Sequence, residues 1–222
     1  MWLKQKKRQS LNPMMDFVNV GEYTEFLSKC INDLEKTQNV LDVGGGRGKT
    51  FKNGNCGYYV LDINSHNSLD YIQGDITSKD LSLNKKFDII LTKDTFEHIL
   101  NPWDATENIL NLLEEGGLFF CSVPFSWRFH PSPYDCYRYS HQGLKYLFER
   151  KGGMEEVDSG YIHYFDAVQG FWKNKLDNWP INNLYRDNIC SYYIGQKKKD
   201  KKFNIEEIRG DFSLNHDAPY EK

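Results

Sequence analysis

The sequence predicts an α/β domain built on a mostly parallel sheet covered on both faces. Three observations carry that expectation. Short apolar runs recur at 39–43, 57–63, 87–92 and 117–123, each suited to a buried strand and too short for a helix. Helical patterns alternate with these runs. The first run opens directly into a cluster of glycines, as a chain does when it leaves the carboxyl end of a parallel strand in a tight turn.

Taken in chain order, residues 22–36 place Tyr23, Phe26, Leu27, Cys30, Ile31 and Leu34 at helical spacing, an amphipathic helix. "NVLDV", "GYYVLDI", "FDIILT" and "GLFFCSV" are the strands. Between the last two, Asn101 suits a helix cap and Pro102 the first turn, Ala105, Ile109, Leu112 and Leu113 form an apolar face, and Gly116 and Gly117 are expected to end the helix. After 154 the pattern changes. "MEEVDSGYIHYF" and "NICSYYIGQ" read as strands around an aromatic, Asn-rich insertion, and they are expected to finish the sheet as an edge pair. The chain thus divides into an N-terminal segment with a helix (1–37), a domain (38–196) and a charged tail (197–222).

Composition narrows the function. Charged residues are 27% and hydrophobic ones 39%, as in a soluble globular domain. A net charge of −3 gives no global attraction to nucleic acid or an anionic membrane. No apolar run reaches the roughly 18 residues of a membrane span, and the basic start "MWLKQKKRQS" lacks the apolar core of a signal peptide. The five cysteines are scattered without a CxxC pair, which argues against a zinc site or a disulfide framework and for a reducing, cytoplasmic setting.

The glycine loop discriminates between ligands. A phosphate-binding P-loop needs GxxxxGK[ST], and Val43 stands where the first glycine would be. The dinucleotide pattern GxGxxG fails from Gly44, which meets Lys49, and from Gly46, which meets Phe51. What remains is DxGxGxG over Asp42, Gly44, Gly46 and Gly48. An acid ahead of the glycines suits a cationic ligand, and S-adenosylmethionine carries both an ammonium and a sulfonium.

Four segments in order carry a family resemblance. "VLDVGGGRG", Asp62 in "YVLDIN", "GDIT" at 74–77 and "FDIILTKDTFEHILNP" followed by "LLEEGGLFFCSVP" resemble the motifs of class I S-adenosylmethionine-dependent methyltransferases over about residues 38–196. The resemblance implies a Rossmann-like, seven-stranded, mostly parallel sheet with helices on both faces and the last strand antiparallel. It also implies a cofactor site. Asp42, Gly44, Gly45, Gly46 and Gly48 form the loop, and Asp62 with Ile63 takes the ribose. Asp75 takes the adenine amino group while Ile76 packs on the ring, and the backbone carbonyl of Lys93 takes the cofactor's amino group. Because "KTFKNGNCG" is short, the first helix after the loop is expected to be stunted.

The acceptor is sought after the fourth motif. Transfer to a hydroxyl needs a base. His98 is the natural candidate, with Asp94 expected one helical turn away on the same face. Asp94, Glu97 and His98 also resemble the ExxEH set that binds a divalent metal in ubiquinone-pathway and small-RNA 2′-O-methyltransferases, with Asp in place of the first Glu and a further ligand open to His130 or His163. "PFSWRFHPSPYDCYRYSHQGL" resembles the HPxDYWRFT loop of methyltransferases found in glycan gene sets, with one extra residue after the proline and Cys136 inserted. That makes His130, Tyr134, Asp135 and Arg138 the substrate candidates, with Arg138 pairing with Asp135 as the alternative. Residues 125–193 hold 17 of the 33 aromatics, and aromatic faces suit a sugar ring. The expectation is O-methylation of a small polar acceptor, a glycan or glycoconjugate hydroxyl. A metal-dependent RNA 2′-O-methyltransferase and a non-catalytic cofactor-binding module are the alternatives.

Overall fold

The computed structural model describes residues 39–46, 56–68, 70–163 and 189–198. The expected helix at 22–36, the stunted helix after the loop, Gly48, the Asn-rich insertion and the tail beyond 198 lie outside the described residues.

Seven strands form one sheet: β1 (Asn39–Val43), β2 (Gly57–Asp62), β3 (Tyr71–Gln73), β4 (Phe87–Lys93), β5 (Leu113–Ser126), β6 (Met154–His163) and β7 (Ile189–Lys197). Their order is β3-β2-β1-β4-β5-β7-β6. The first five run parallel, and β7 is antiparallel to both β5 and β6. The expected edge pair is present, and the last strand is the inner member of it. β3 has only three residues, too few for a period to show in the sequence.

Side-chain alternation sorts the core into two layers. Leu41, Val43, Ile90, Phe119 and Cys121 face one way, while Val40, Ile89, Leu91, Leu118 and Phe120 face the other, and both layers are closed to solvent. Two described helices cover the first layer: α1 (Pro102–Leu112) and α2 (His141–Glu149). Asn101 caps α1, its side chain accepting from the Asp104 amide at 3.3 Å. Among the described residues no helix is long and apolar enough to cross a membrane.

Two features differ from the sequence reading. Gly116 and Gly117 do not end α1, which stops at Leu112. They lie in a bulge of β5, where the pairing with β4 jumps from Phe87–Leu113 to Ile89–Leu118. Gly116 takes φ +79°, and a Cβ on Gly117 would meet the Glu114 carbonyl oxygen at 2.8 Å, so the pair is there for close backbone approach. The second difference is α2, whose signals are short and local. Ser140 caps it, accepting from the Gly143 amide at 3.1 Å, and Leu144, Leu147 and Phe148 bury its apolar side. Phe148 packs edge-on against Phe96 and Phe119 (5.2 and 4.6 Å between centroids) and stacks on Tyr193 at 5.3 Å. Each such pair adds about 0.5–1.5 kcal/mol beyond simple burial, and together they fix α2 and the loop before it over the end of β4.

Candidate functional site

The strand order reverses direction between β1 and β4, and in an open parallel sheet the ligand crevice lies at the carboxyl ends beside that switch. A cleft of about 430 Å³ opens there, lined by the ends of β1 and β2, the turn after β3, and residues 94–95, 98–100 and 132–134. The glycine loop shapes its floor. Gly44 takes φ +74° and donates its amide to the Leu61 carbonyl at 2.8 Å. A Cβ there would meet Thr95 at 2.5 Å. Thr95 in turn donates to the carbonyls of Val43 (3.2 Å) and Lys93 (3.0 Å), tying the two strand ends together. Sequence reasoning missed Thr95, since nothing local marks a threonine that locks onto a glycine 51 residues earlier.

One side of the cleft gathers the expected cofactor residues. Asp62 accepts the Gly46 amide on Oδ2 (3.1 Å) and the Asn64 amide and side chain on Oδ1 (2.9 and 3.0 Å). Oδ2 keeps a lone pair for a ligand hydroxyl. Asp75 is exposed, with Oδ1 taking both Thr77 donors at 2.8 Å. Ile63 and Ile76 line the same end, and the Asn108 side chain of α1 donates to the carbonyls of Ile76 and Ser78 (2.7 and 2.8 Å), bracing that turn. This arrangement of a strand-end acid, a second acid and two apolar side chains fits the ribose and adenine of S-adenosylmethionine.

Among the described residues four expected cofactor contacts do not line the cleft: Asp42, Gly45, Lys93 and Gly46, whose amide goes to Asp62. Asp42 is buried, accepts from the Tyr58 hydroxyl at 2.7 Å, and is not a cleft-lining residue. Its carboxylate sits under Gly45, where a Cβ would approach it to 2.7 Å, so it shapes the loop from behind rather than facing a cation. Gly45 likewise packs inward, and Lys93 ends β4 beside the cleft lining with its carbonyl accepting from Thr95.

The other end of the cleft holds Asp94, His98 and Tyr134. The helical spacing expected for Asp94, Glu97 and His98 does not form. Asp94 takes φ +51° with its amide bonded to the Ser122 carbonyl (2.9 Å), and only Phe96–His98 makes a single 3-10 turn. An Asp tolerates this left-handed backbone better than most residues, and an unusual conformation at a cleft edge is a mark of function. Asp94 is exposed at the cleft edge, and its carboxyl is raised from its ordinary value by desolvation, opposed by Lys93, His130 and His98.

Behind Asp94, Glu97 is fully buried, and both of its oxygens lack a hydrogen-bond donor among the described residues. Burial pushes its carboxyl up to about 8, with its own backbone bond and Arg138 opposing and Asp94 and Asp135 adding. His98 Nε2 lies 3.5 Å and His130 Nε2 3.7 Å from Glu97 Oε1. These three residues, and not Asp94, form the group whose ligand-type atoms lie within 4.8 Å of one another. His98 Nδ1 contacts the Tyr134 carbonyl, so the ring is held with Nε2 toward Glu97.

The loop after β5 folds over this group. The Cys136 amide donates to the Glu97 carbonyl at 2.7 Å. Asp135 and Arg138 pair with each other in a two-pronged bridge, and Asp135 also accepts the His130 amide at 2.7 Å. Neither lines the cleft. Of the four substrate candidates, Tyr134 alone lines it, while His130, Asp135 and Arg138 build the loop beneath. The Asp135 carboxyl is held well below the usual range, first by the Arg138 bond, against desolvation and with help from the His130 amide. A group depressed in this way stabilises the fold above its unfolded pKa and loses that contribution as pH falls toward the folded value. The Asp135 side chain is closed to solvent but only thinly covered, so Arg138→Ala is expected to cost about 2 kcal/mol, less than breaking a deep ion pair. Thermal melts at pH 7 and pH 3 check this. The loss at pH 7 should shrink at pH 3, and a pH-independent loss would show that the charge is not what matters.

A model for a methyltransferase domain matches residues 17–194. No curated protein matches the chain. Solved structures share its fold at low identity. A proposed methyltransferase of Bacillus halodurans is 14% identical, with TM-score 0.56, over 80% of this chain and 98% of that one. The N-methyltransferase NodS of Bradyrhizobium japonicum is 14% identical with TM-score 0.54, over 81% and 96%. Phosphoethanolamine N-methyltransferase 2 of Haemonchus contortus, in complex with S-adenosyl-L-methionine, is 14% identical with TM-score 0.54, over 80% and 53%. A strand order with an inner antiparallel last strand, a glycine loop at the switch point and a domain match over most of the length all converge, and the chain belongs to the methyltransferase-domain family, with the fold of the class I S-adenosylmethionine-dependent enzymes.

Proposed function

We propose that the protein transfers the methyl group of S-adenosylmethionine to a hydroxyl of a small polar acceptor, a sugar of a glycan or glycoconjugate. The observation that carries this is the cleft's division. Asp62, Asp75, Ile63 and Ile76 suit the nucleoside at one end, and Asp94 and Tyr134 stand at the other. The cofactor supplies an activated methyl on a sulfonium. The chain's residues align the acceptor and take its proton. As the acceptor oxygen bonds the methyl carbon, the carbon–sulfur bond breaks and its electron pair stays on sulfur. The hydroxyl proton goes to Asp94, whose raised pKa makes it a better base than an ordinary carboxylate. His98, through its Nδ1 contact with the Tyr134 carbonyl, holds the Tyr134 turn in place. Exposed Tyr134 and Phe129 in the loop offer apolar faces to a sugar ring.

Radiolabelled S-adenosylmethionine incubated with monosaccharides, nucleotide sugars, primary and secondary amines and RNA tests the reading. Label in sugar hydroxyls is expected. Label confined to amines or RNA would replace it.

A further inference from the structure

The group of Glu97, His98 and His130 poses a problem of donors and acceptors. His98 Nδ1 contacts the Tyr134 carbonyl, and His130 Nδ1 lies 3.0 Å from the Arg128 carbonyl and 3.3 Å from Asp135 Oδ2. A carbonyl or carboxylate oxygen can only accept, so each Nδ1 carries a hydrogen, and each ring in its neutral form presents a bare lone pair at Nε2. Both Nε2 atoms face Glu97 Oε1, at 3.5 and 3.7 Å. With Glu97 ionised and both rings neutral, three acceptors meet with no donor among them, and a single proton on any one of them can bridge only one pair. The meeting point is dry, since Glu97 is fully buried and neither of its oxygens has a hydrogen-bond donor among the described residues. A proton on Glu97 would satisfy one imidazole and leave the other unpaired, at a cost of about 1–3 kcal/mol.

We propose that this group is a divalent transition-metal site with Glu97 Oε1, His98 Nε2 and His130 Nε2 as ligands. One ion satisfies all three lone pairs at once. Two imidazoles and one carboxylate suit zinc and its neighbours better than magnesium or calcium. The outer contacts have the form that metal-bound histidines take, with the second ring nitrogen donating to a backbone carbonyl or a carboxylate. Asp135, fixed by Arg138, provides that contact for His130. The ligand set differs from the one the sequence spacing suggests. Asp94 falls out because its backbone leaves the helical path, and of the two histidines left open as a further ligand it is His130, 32 residues after His98, that meets the other two. Because His98 also lines the cleft, the ion belongs to the acceptor end. Its binding does not depend on which acceptor is methylated.

The test measures metal directly. Full-length protein carrying Cys136→Ser, which removes an exposed thiol next to the site, is stripped with EDTA and titrated with Zn²⁺ alone by calorimetry. Metal retained after gel filtration is then counted. About one equivalent per chain is expected, with affinity reduced at least ~100-fold in His130→Ala and in His98→Gln. Added Zn²⁺ should raise the melting temperature of the parent and not of either variant. Binding of S-adenosylhomocysteine by the variants shows that they are folded. If His130→Ala fails that check, His98→Gln decides. No retained zinc in the parent, or full retention in a folded variant, overturns the site. Neither outcome touches the methyl-transfer reading, which the labelled assay judges.

Discussion

Asp94→Asn should lower turnover by about two to three orders of magnitude, the usual range for removing a positioned base. It should leave S-adenosylmethionine affinity within roughly threefold of the parent, because the nucleoside end is untouched. The substitution is chosen for its backbone. Asn accepts the left-handed conformation at φ +51° almost as readily as Asp, so the strand end and its bond to the Ser122 carbonyl should persist. The pH profile adds a second reading. The parent needs the Asp94 carboxylate, and desolvation raises its pKa. Activity should therefore fall on acidification at a pH above the ordinary carboxylate range, and the Asn variant should lack that limb. Steady-state rates across pH 4–9 in both proteins decide the matter. An unchanged kcat in Asp94→Asn would remove the proton acceptor from the proposed mechanism.

The second large effect is at Gly44. Gly44→Ala places a Cβ 2.5 Å from Thr95 on a backbone at φ +74°. The conformation alone costs about 1–2 kcal/mol for an L residue. The clash must also displace the Thr95 hydroxyl from the Val43 carbonyl, opening the junction of β1 and β4. Cofactor affinity should fall about 10- to 100-fold, and stability by about 2–3 kcal/mol. Adding Thr95→Ala removes the clash but not the backbone strain, so the double variant should recover part of the loss. A purely additive result in calorimetry and melting would show that the two residues act independently.

These two sites mark the boundary of what the sequence made legible. The cofactor end was readable because its determinants are local: a strand, an acid at its end, then glycines whose register excludes other nucleotides. Asp62, Asp75, Ile63 and Ile76 come to one cleft as their positions at strand ends require. Asp42 shows the limit even there. Alternation along β1 turns it into the second core layer, toward Tyr58, and no motif spacing reports which face a side chain takes. The acceptor end was misread where a helix was assumed. Phe96–His98 is one 3-10 turn, so the i, i+3, i+4 rule never applied to Asp94. His130 reaches Glu97 because the local Asp135–Arg138 bridge shapes its loop and the Cys136 amide ties that loop to the Glu97 carbonyl, a long-range contact that leaves no periodic trace. The short strand β3 and helix α2 escaped for a simpler reason: three and nine residues carry little pattern.

The inner position of β7 has a bearing on how the protein comes into being. β1 to β5 precede β6 in the chain and are neighbours in the sheet, and Asp62, Ile63, Asp75 and Ile76 all lie in that stretch. β6 is made next, yet it cannot join the sheet, because its hydrogen-bonding neighbour is the strand still to come. Until residues 189–197 arrive, β5 and β6 both expose open edges, a state prone to mispairing with other chains. When β7 inserts, Ser191 donates to the Tyr139 carbonyl at 2.6 Å and pins the loop that carries His130 and Tyr134. A chain that stops within β7 would thus carry Asp62 and Asp75 without the contact that pins the loop at the other end of the cleft.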